Sequence, residues 1–128
     1  MNIILDTHII IWFLTGDERL SQKALELIQN PDNEIYYSHA SLWEIAVKHR
    51  VKKEEFNYDV NKVMLFCEMC EFSKLTIREI AIQQYERIPL GHSDPFDLML
   101  IAQAQSEGMK LLTHDAKLEQ FSSDVILV

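Results

Sequence analysis

From Asp94 to Gly108 the chain carries Pro95-Phe96-Asp97-Leu98-Met99-Leu100-Ile101-Ala102-Gln103-Ala104, a helical stretch almost wholly apolar beyond its first turn. A helix with no polar face has to be enclosed, so the fold must wrap around it. Pro95 suits a first helical position, where its missing N–H removes nothing, with Asp94 before it as the expected N-cap and Gly108 as the expected C-terminal cap. Asp97 falls one turn up on the same side as Asp94, so the two carboxylates open into a common space at the mouth of a buried element. Capping and the helix dipole account for Asp94 alone. A metal site accounts for both acids, provided that other acids reach them from elsewhere in the chain.

What encloses this helix is an alternation of short apolar strands and helices. Asn2 to Leu5 is expected as a buried strand ending at Asp6-Thr7, followed by a short helix from Ile9 to Leu14 that Thr15-Gly16-Asp17 breaks. Ser21 caps a helix through Ile28, with Leu20, Ala24, Leu27 and Ile28 inward, and Asn30-Pro31-Asp32-Asn33 is a turn. Glu34 to Tyr37 is a second strand, and Ser38 caps the helix His39 to Arg50. Asp59 to Cys70 is a helix, whereas Lys74-Leu75 is too short to assign. Thr76-Ile77-Arg78-Glu79 has the form of a capping box, opening a helix with Ile77, Ile80, Ala81, Tyr85 and Ile88 on one side and Pro89 as its stop. Lys110 to Thr113 is the third clear strand, Ala116 to Phe121 a short helix or turn, and Val125 to Val128 a last strand.

Such alternation implies a central parallel sheet with helices on both faces, joined by right-handed connections. Ligands in these sheets bind outside the carboxyl ends of the strands. Asp6 and Asp115 follow two of those ends. Helices run antiparallel to the strands, so Asp94 and Asp97 at a helix start reach the same edge, and Glu44 is near enough to the start of its own helix to join them.

Five carboxylates in one pocket raise one another's pKa and destabilise the fold unless a cation balances them. Oxygen ligands suit Mg²⁺ or Mn²⁺, and no His or Cys spacing typical of zinc is present. Ions of this kind favour phosphodiester cleavage, by activating water and stabilising charge on the phosphate. The absence of a glycine-rich phosphate loop and of a Gly-x-Ser-x-Gly elbow gives nucleotide transfer and acyl hydrolysis little support. Taken singly, Glu44 is better explained as a solvated partner of Lys48 at i,i+4. Lys48, Arg50, Lys52 and Lys53 make a basic cluster that can touch phosphates. Cations at a helix C-terminus explain that cluster as well.

With 128 residues, 48% of them hydrophobic, and three glycines and three prolines, the chain is one domain long and able to bury a core. The formal net charge of -8 argues against broad charge-driven binding of nucleic acid, yet permits a nuclease whose acids are clustered and neutralised by cations. The first fourteen residues are apolar, but no positive segment precedes them and Asp6 and His8 interrupt the run. No stretch reaches the roughly 20 apolar residues of a membrane span, so a soluble, cytoplasmic protein is expected. Cys67 and Cys70 share a helical stripe with Val60, Val63 and Met64, which makes them small buried apolar groups rather than a redox pair or half a zinc site.

The sequence resembles the PIN-domain ribonucleases over essentially its whole length, and in particular the VapC-type toxins of bacterial toxin–antitoxin pairs. The likeness rests on Leu5-Asp6-Thr7-His8, on Ser41-Leu42-Trp43-Glu44-Ile45-Ala46-Val47-Lys48, on the Asp94-Pro95-Phe96-Asp97 core of His92 to Ala104, and on Leu112-Thr113-His114-Asp115. It implies a single three-layer PIN-like α/β domain over residues 1–128 and a Mg²⁺- or Mn²⁺-dependent endoribonuclease. Its acidic site would be Asp6, Glu44, Asp97 and Asp115, with Asp97 and Asp6 the main metal ligands and Asp94 an additional acid. Thr7, Ser41 and Thr113 match small polar positions that orient acids or a metal-bound water. Lys48, Arg50 and Lys52 would hold the RNA backbone. The resemblance further implies a homodimer and a cognate antitoxin. Leu98 and His114 depart from the family variant, which often carries arginine there, so two phosphate contacts are missing. The alternatives are a PIN nuclease that is not a toxin, another metal-dependent phosphohydrolase, and a module that binds a metal or partner without cleaving anything.

Overall fold

In the computed structural model, which describes residues 1–52, 54 and 57–128, Asn2–Leu5 (β1) is the middle strand of a five-stranded sheet. On one side lie Glu34–Ser38 (β2) and then Ser73–Leu75 (β3); on the other lie Lys110–Thr113 (β4) and then Val125–Leu127 (β5). All four pairings are parallel, as the alternation of strands and helices predicts. β1 is registered on both neighbours, with Ile3 against Ile35 and Lys110, and Ile4 against Tyr36 and Leu111.

Successive strand residues point to opposite faces, and the two faces hold separate cores. Ile3, Leu5, Ile35, Tyr37 and Leu112 pack with Ile9, Ile10 and Trp12 of helix Thr7–Thr15 (α1), Ala24 and Ile28 of Gln22–Gln29 (α2), Ile45 of His39–Val51 (α3), and Val63 and Cys67 of Val60–Met69 (α4). Ile4 and Leu111 turn the other way, against Leu100, Ile101 and Ala104 of Pro95–Glu107 (α6), beneath Glu79–Arg87 (α5). Each fully buried Ile or Leu contributes about 1.5–3 kcal/mol. The expected three-layer arrangement is therefore present. None of the described helices is long and apolar enough to cross a membrane.

Local chemistry sets the element ends. Asp6 turns the chain from β1 into α1, its backbone N–H still donating to Leu112 O at 2.9 Å while its side chain caps the helix. Thus α1 starts at Thr7, two residues earlier than the apolar run alone implies, and Gly16 closes it with φ 65°. Ser21, Ser38 and Asp59 cap α2, α3 and α4 by accepting backbone N–H bonds. Gly108 closes α6 with φ 68°.

Two expectations fail around α5. The capping box at Thr76–Glu79 does not form: the N-cap is Arg78, without a side-chain capping bond. The reason is β3, whose pairing with β2 runs to Leu75, so Thr76 is spent leaving the sheet and its carbonyl accepts from Gln103 Nε2 at 3.2 Å. Ile80 is consequently exposed rather than on the buried side, where Ala81 sits with Ile77 and Ile88. Cys67 is buried and Cys70 half-buried, both as free thiols; burial pushes Cys67 up to about 12, which makes it inert at neutral pH.

Candidate active site

Parallel pairing puts the carboxyl ends of β1, β2 and β4 on one edge of the sheet, and the chain leaves each of them on a polar residue. Asp6 follows β1 and is buried. Its Oδ1 accepts from Thr7 N–H at 2.6 Å, and its Oδ2 accepts from Thr113 Oγ at 2.5 Å across 107 positions of sequence. Thr113 ends β4, and the same hydroxyl oxygen accepts from Asp115 N–H at 3.0 Å, so one threonine ties both acids to the sheet edge. Asp115 itself caps the 3₁₀ turn Ala116–Phe121 through Lys117 N–H at 3.0 Å. The buried Thr7 hydroxyl donates to Ser41 Oγ at 2.9 Å, joining the start of α1 to the first turn of α3.

Glu44 lies one turn further along α3 and is 2% exposed, so it is not the solvated half of a surface pair. Its Oε2 accepts from Lys48 Nζ, whereas its Oε1 is buried with no hydrogen-bond partner among the described residues. On α6, Asp94 caps the helix, accepting from Phe96 N–H at 2.8 Å and Asp97 N–H at 3.2 Å. Asp97 Oδ2 sits 2.9 Å from His92 Nε2. Donor atoms of His92, Asp97 and Asp115 lie within 4.8 Å of one another.

The electrostatics describe a cluster short of positive charge. Burial pushes Asp97 up to about 7, and Asp6, Asp94 and Glu44 add like-charge repulsion that the His92 hydrogen bond only partly offsets. Burial also raises Asp6, with Glu44 adding to it, while Thr113, His8 and Thr7 work in the opposite direction. Burial pulls Lys48 down, but Glu44, Asp94 and Asp97 outweigh it and hold the ammonium above its ordinary value. One lysine cannot balance these acids. A buried carboxylate oxygen without a donor is costly, and the orphaned Glu44 Oε1 beside mutually repelling carboxylates is the chemistry that a divalent cation satisfies. The donor set therefore fits a metal ion.

Of the residues singled out in the sequence, Asp6, Glu44, Asp94, Asp97, Asp115, Thr7, Ser41, Thr113 and Lys48 meet at this edge through the contacts above. Arg50 and Lys52 do not join them. They occupy the exposed C-terminal end of α3, about 9 and 12 Å by helical rise from Glu44, where cations complement the helix dipole. Lys53 lies outside the described residues. His92 was not foreseen: it stands in a loop, so no periodicity marks it, and the only signal was a histidine just ahead of two acids. The buried Gln103 was missed too. Its Oε1 accepts from Ser38 Oγ at 2.5 Å, which pins α6 to the end of β2.

Comparison with known proteins places this fold. A crystal structure of VapBC2 from Rickettsia felis bound to a DNA fragment from their promoter matches at 21% identity and a TM-score of 0.69, over 100% of this chain and 98% of the matched chain. VapBC-1 from nontypeable Haemophilus influenzae matches at 19% identity and a TM-score of 0.65, covering 100% and 97% of the two chains. A toxin–antitoxin complex from Klebsiella pneumoniae matches at 21% identity and a TM-score of 0.62, over 97% and 95%. At these identities the likeness is one of fold. No curated protein matches the sequence. The family model for the PIN domain matches residues 3–123. The chain belongs to the PIN domain family.

Proposed function

We propose that this protein is a metal-dependent endoribonuclease, the toxin of a toxin–antitoxin pair, hydrolysing RNA phosphodiester bonds at the sheet edge that carries Asp6, Glu44, Asp97 and Asp115. The observation that carries this reading is the buried, unpartnered Glu44 Oε1 among carboxylates that raise one another's pKa. Asp6 and Asp97 would be the main ligands of a Mg²⁺ or Mn²⁺ ion, with Glu44 and Asp115 completing the set. A bound divalent ion supplies an activated water at neutral pH and balances charge developing on the phosphate.

The remaining work falls to the chain. Thr113 fixes Asp6 by one oxygen and Asp115 by its backbone, so both acids are tied to the end of β4. His92 fixes Asp97 in the same way. Thr7 and Ser41 present hydroxyls that orient a water or a phosphate oxygen. Lys48, one-third exposed and held by Glu44, offers a cation beside the acids for the RNA backbone. The antitoxin partner is supported by the family resemblance and by a toxin–antitoxin complex with this fold, and a homodimeric state by the family resemblance.

Purified protein free of any inhibitor should cleave single-stranded RNA when Mg²⁺ or Mn²⁺ is added and lose that activity with chelator. Asp6→Asn and Asp97→Asn should each lower the rate about a hundredfold or more. Cleavage that persists unchanged in either variant would rule the assignment out.

A further inference from the structure

Beside α1 lies a cavity of about 470 Å³ that plays no part in the acid cluster. It is large enough for a small organic ring system, and its lining is unlike that of a packing defect. His8, Trp12, Thr15, Arg19, Asn57 and Tyr58 all border it. The Arg19 guanidinium rests 5.0 Å from the Trp12 ring centroid. Asp17 holds it there as a fork, with Nε to Oδ1 at 3.0 Å and Nη2 to Oδ2 at 2.7 Å, and also accepts from the Arg19 backbone N–H at 2.9 Å. Trp12 is 7% exposed, so a ligand in the cavity meets little of the indole itself. What it meets is the guanidinium, whose side chain is 66% exposed.

The position of the cavity matters as much as its lining. Trp12 stacks edge-on against His114 with ring centroids 5.2 Å apart, and His114 stands between Thr113 and Asp115. His8 lies 5.9 Å from Trp12, two positions after Asp6. Along α1, Trp12 is about 9 Å from Asp6 by helical rise. A nucleotide next to a phosphate held at the acids is therefore within reach of this cavity.

Arg19 is already neutralised by Asp17, which leaves little to attract a second anion. A planar guanidinium locked on an indole still offers its outer face to another flat ring, and stacking on arginine is a recurring way to hold an unpaired base. We propose that the cavity is a nucleobase subsite, taking one base of the RNA beside the scissile phosphate, stacked on Arg19 and flanked by Tyr58, with Thr15 and Asn57 at its edge. This rests on the nuclease reading of the neighbouring acids and extends it to substrate choice.

The test uses the full chain with Trp43→Phe, so that Trp12 is the reporting indole, titrated with the four nucleoside 5′-monophosphates and with ribose 5-phosphate in the absence of metal. Nucleotides should change Trp12 fluorescence saturably, with ribose 5-phosphate binding at least about tenfold more weakly. Arg19→Lys, which keeps the charge and loses the plane, and Tyr58→Leu should each weaken the nucleotides about tenfold. Ribose 5-phosphate binding as tightly as the nucleotides, or no response to either, overturns the subsite and leaves the cavity to a side chain of a protein partner. Unchanged nucleotide affinity in Arg19→Lys overturns it as well. In metal-loaded cleavage of a random-sequence RNA, Arg19→Lys should flatten the base preference next to the cut. An unaltered preference counts against the subsite alone, whereas a wild type that cuts no RNA counts against the nuclease reading while the titration still decides the subsite.

Discussion

His92 engages one oxygen of Asp97 at 2.9 Å and leaves the second for other use. Fixing a ligand by a hydrogen bond from behind is what gives a metal site its affinity. Replacing the imidazole with a ring that cannot donate, His92→Phe, should weaken Mn²⁺ binding about tenfold to a hundredfold, read by calorimetric titration. Equal affinity in the variant would reduce His92 to its ring contact with Phe121, whose centroid is 6.0 Å away. At this scale the acids were legible in the sequence, because carboxylates placed after apolar strands and at the start of an apolar helix violate the pattern around them. Their supports were not. A loop histidine, and a glutamine inside a buried helix, break no rule until the fold shows what each one touches.

Among the elements, α6 joins packing to chemistry most directly. Asp94 satisfies two backbone donors at its start, while Asp97, one turn on, belongs to the charged cluster. The two roles separate by substitution. Asp94→Ala should cost about 1 kcal/mol in chemical denaturation, and Asp94→Asn far less, since asparagine caps as well as aspartate does. Neither should reduce Mn²⁺ affinity as much as Asp97→Asn; a larger loss in Asp94→Asn would make Asp94 a ligand in its own right. The start and the end of α6 were both readable, since Asp94, Pro95 and Gly108 are local signals. α5 was misjudged because its start is set by β3, a three-residue edge strand whose existence depends on its pairing with β2 and not on its own composition.

For the molecule as a whole, the buried acids couple folding to pH. With metal absent, Asp97 titrates at about 7 in the folded protein, against 3.8 for an unperturbed group. Between those values the folded state holds a proton that the unfolded chain has released, so stability falls as pH rises through the window. Asp6 is displaced in the same direction. The melting temperature of metal-free protein should accordingly drop from about pH 4 to about pH 7, Asp97→Asn should flatten the slope, and Mn²⁺ should restore most stability at the alkaline end, where its ligands are deprotonated. A melting temperature that rises over this interval would contradict the burial and repulsion assigned to Asp97. The parallel, doubly covered sheet was legible from the alternation of its elements. The central place of β1 was not, because strand order is decided by long-range pairing that no local window contains.

That central place also governs when the acids can come together. The Asp6 N–H needs Leu112 O, and its side chain needs the hydroxyl of Thr113, both on a strand made long after β1 has left the ribosome. Until then one edge of β1 stays unpaired, and a buried acid of the site lacks its anchor. A growing chain therefore carries its nuclease chemistry in a disarmed form through most of its own synthesis, and the cell meets the assembled acids only once β4 has emerged and slotted in beside β1.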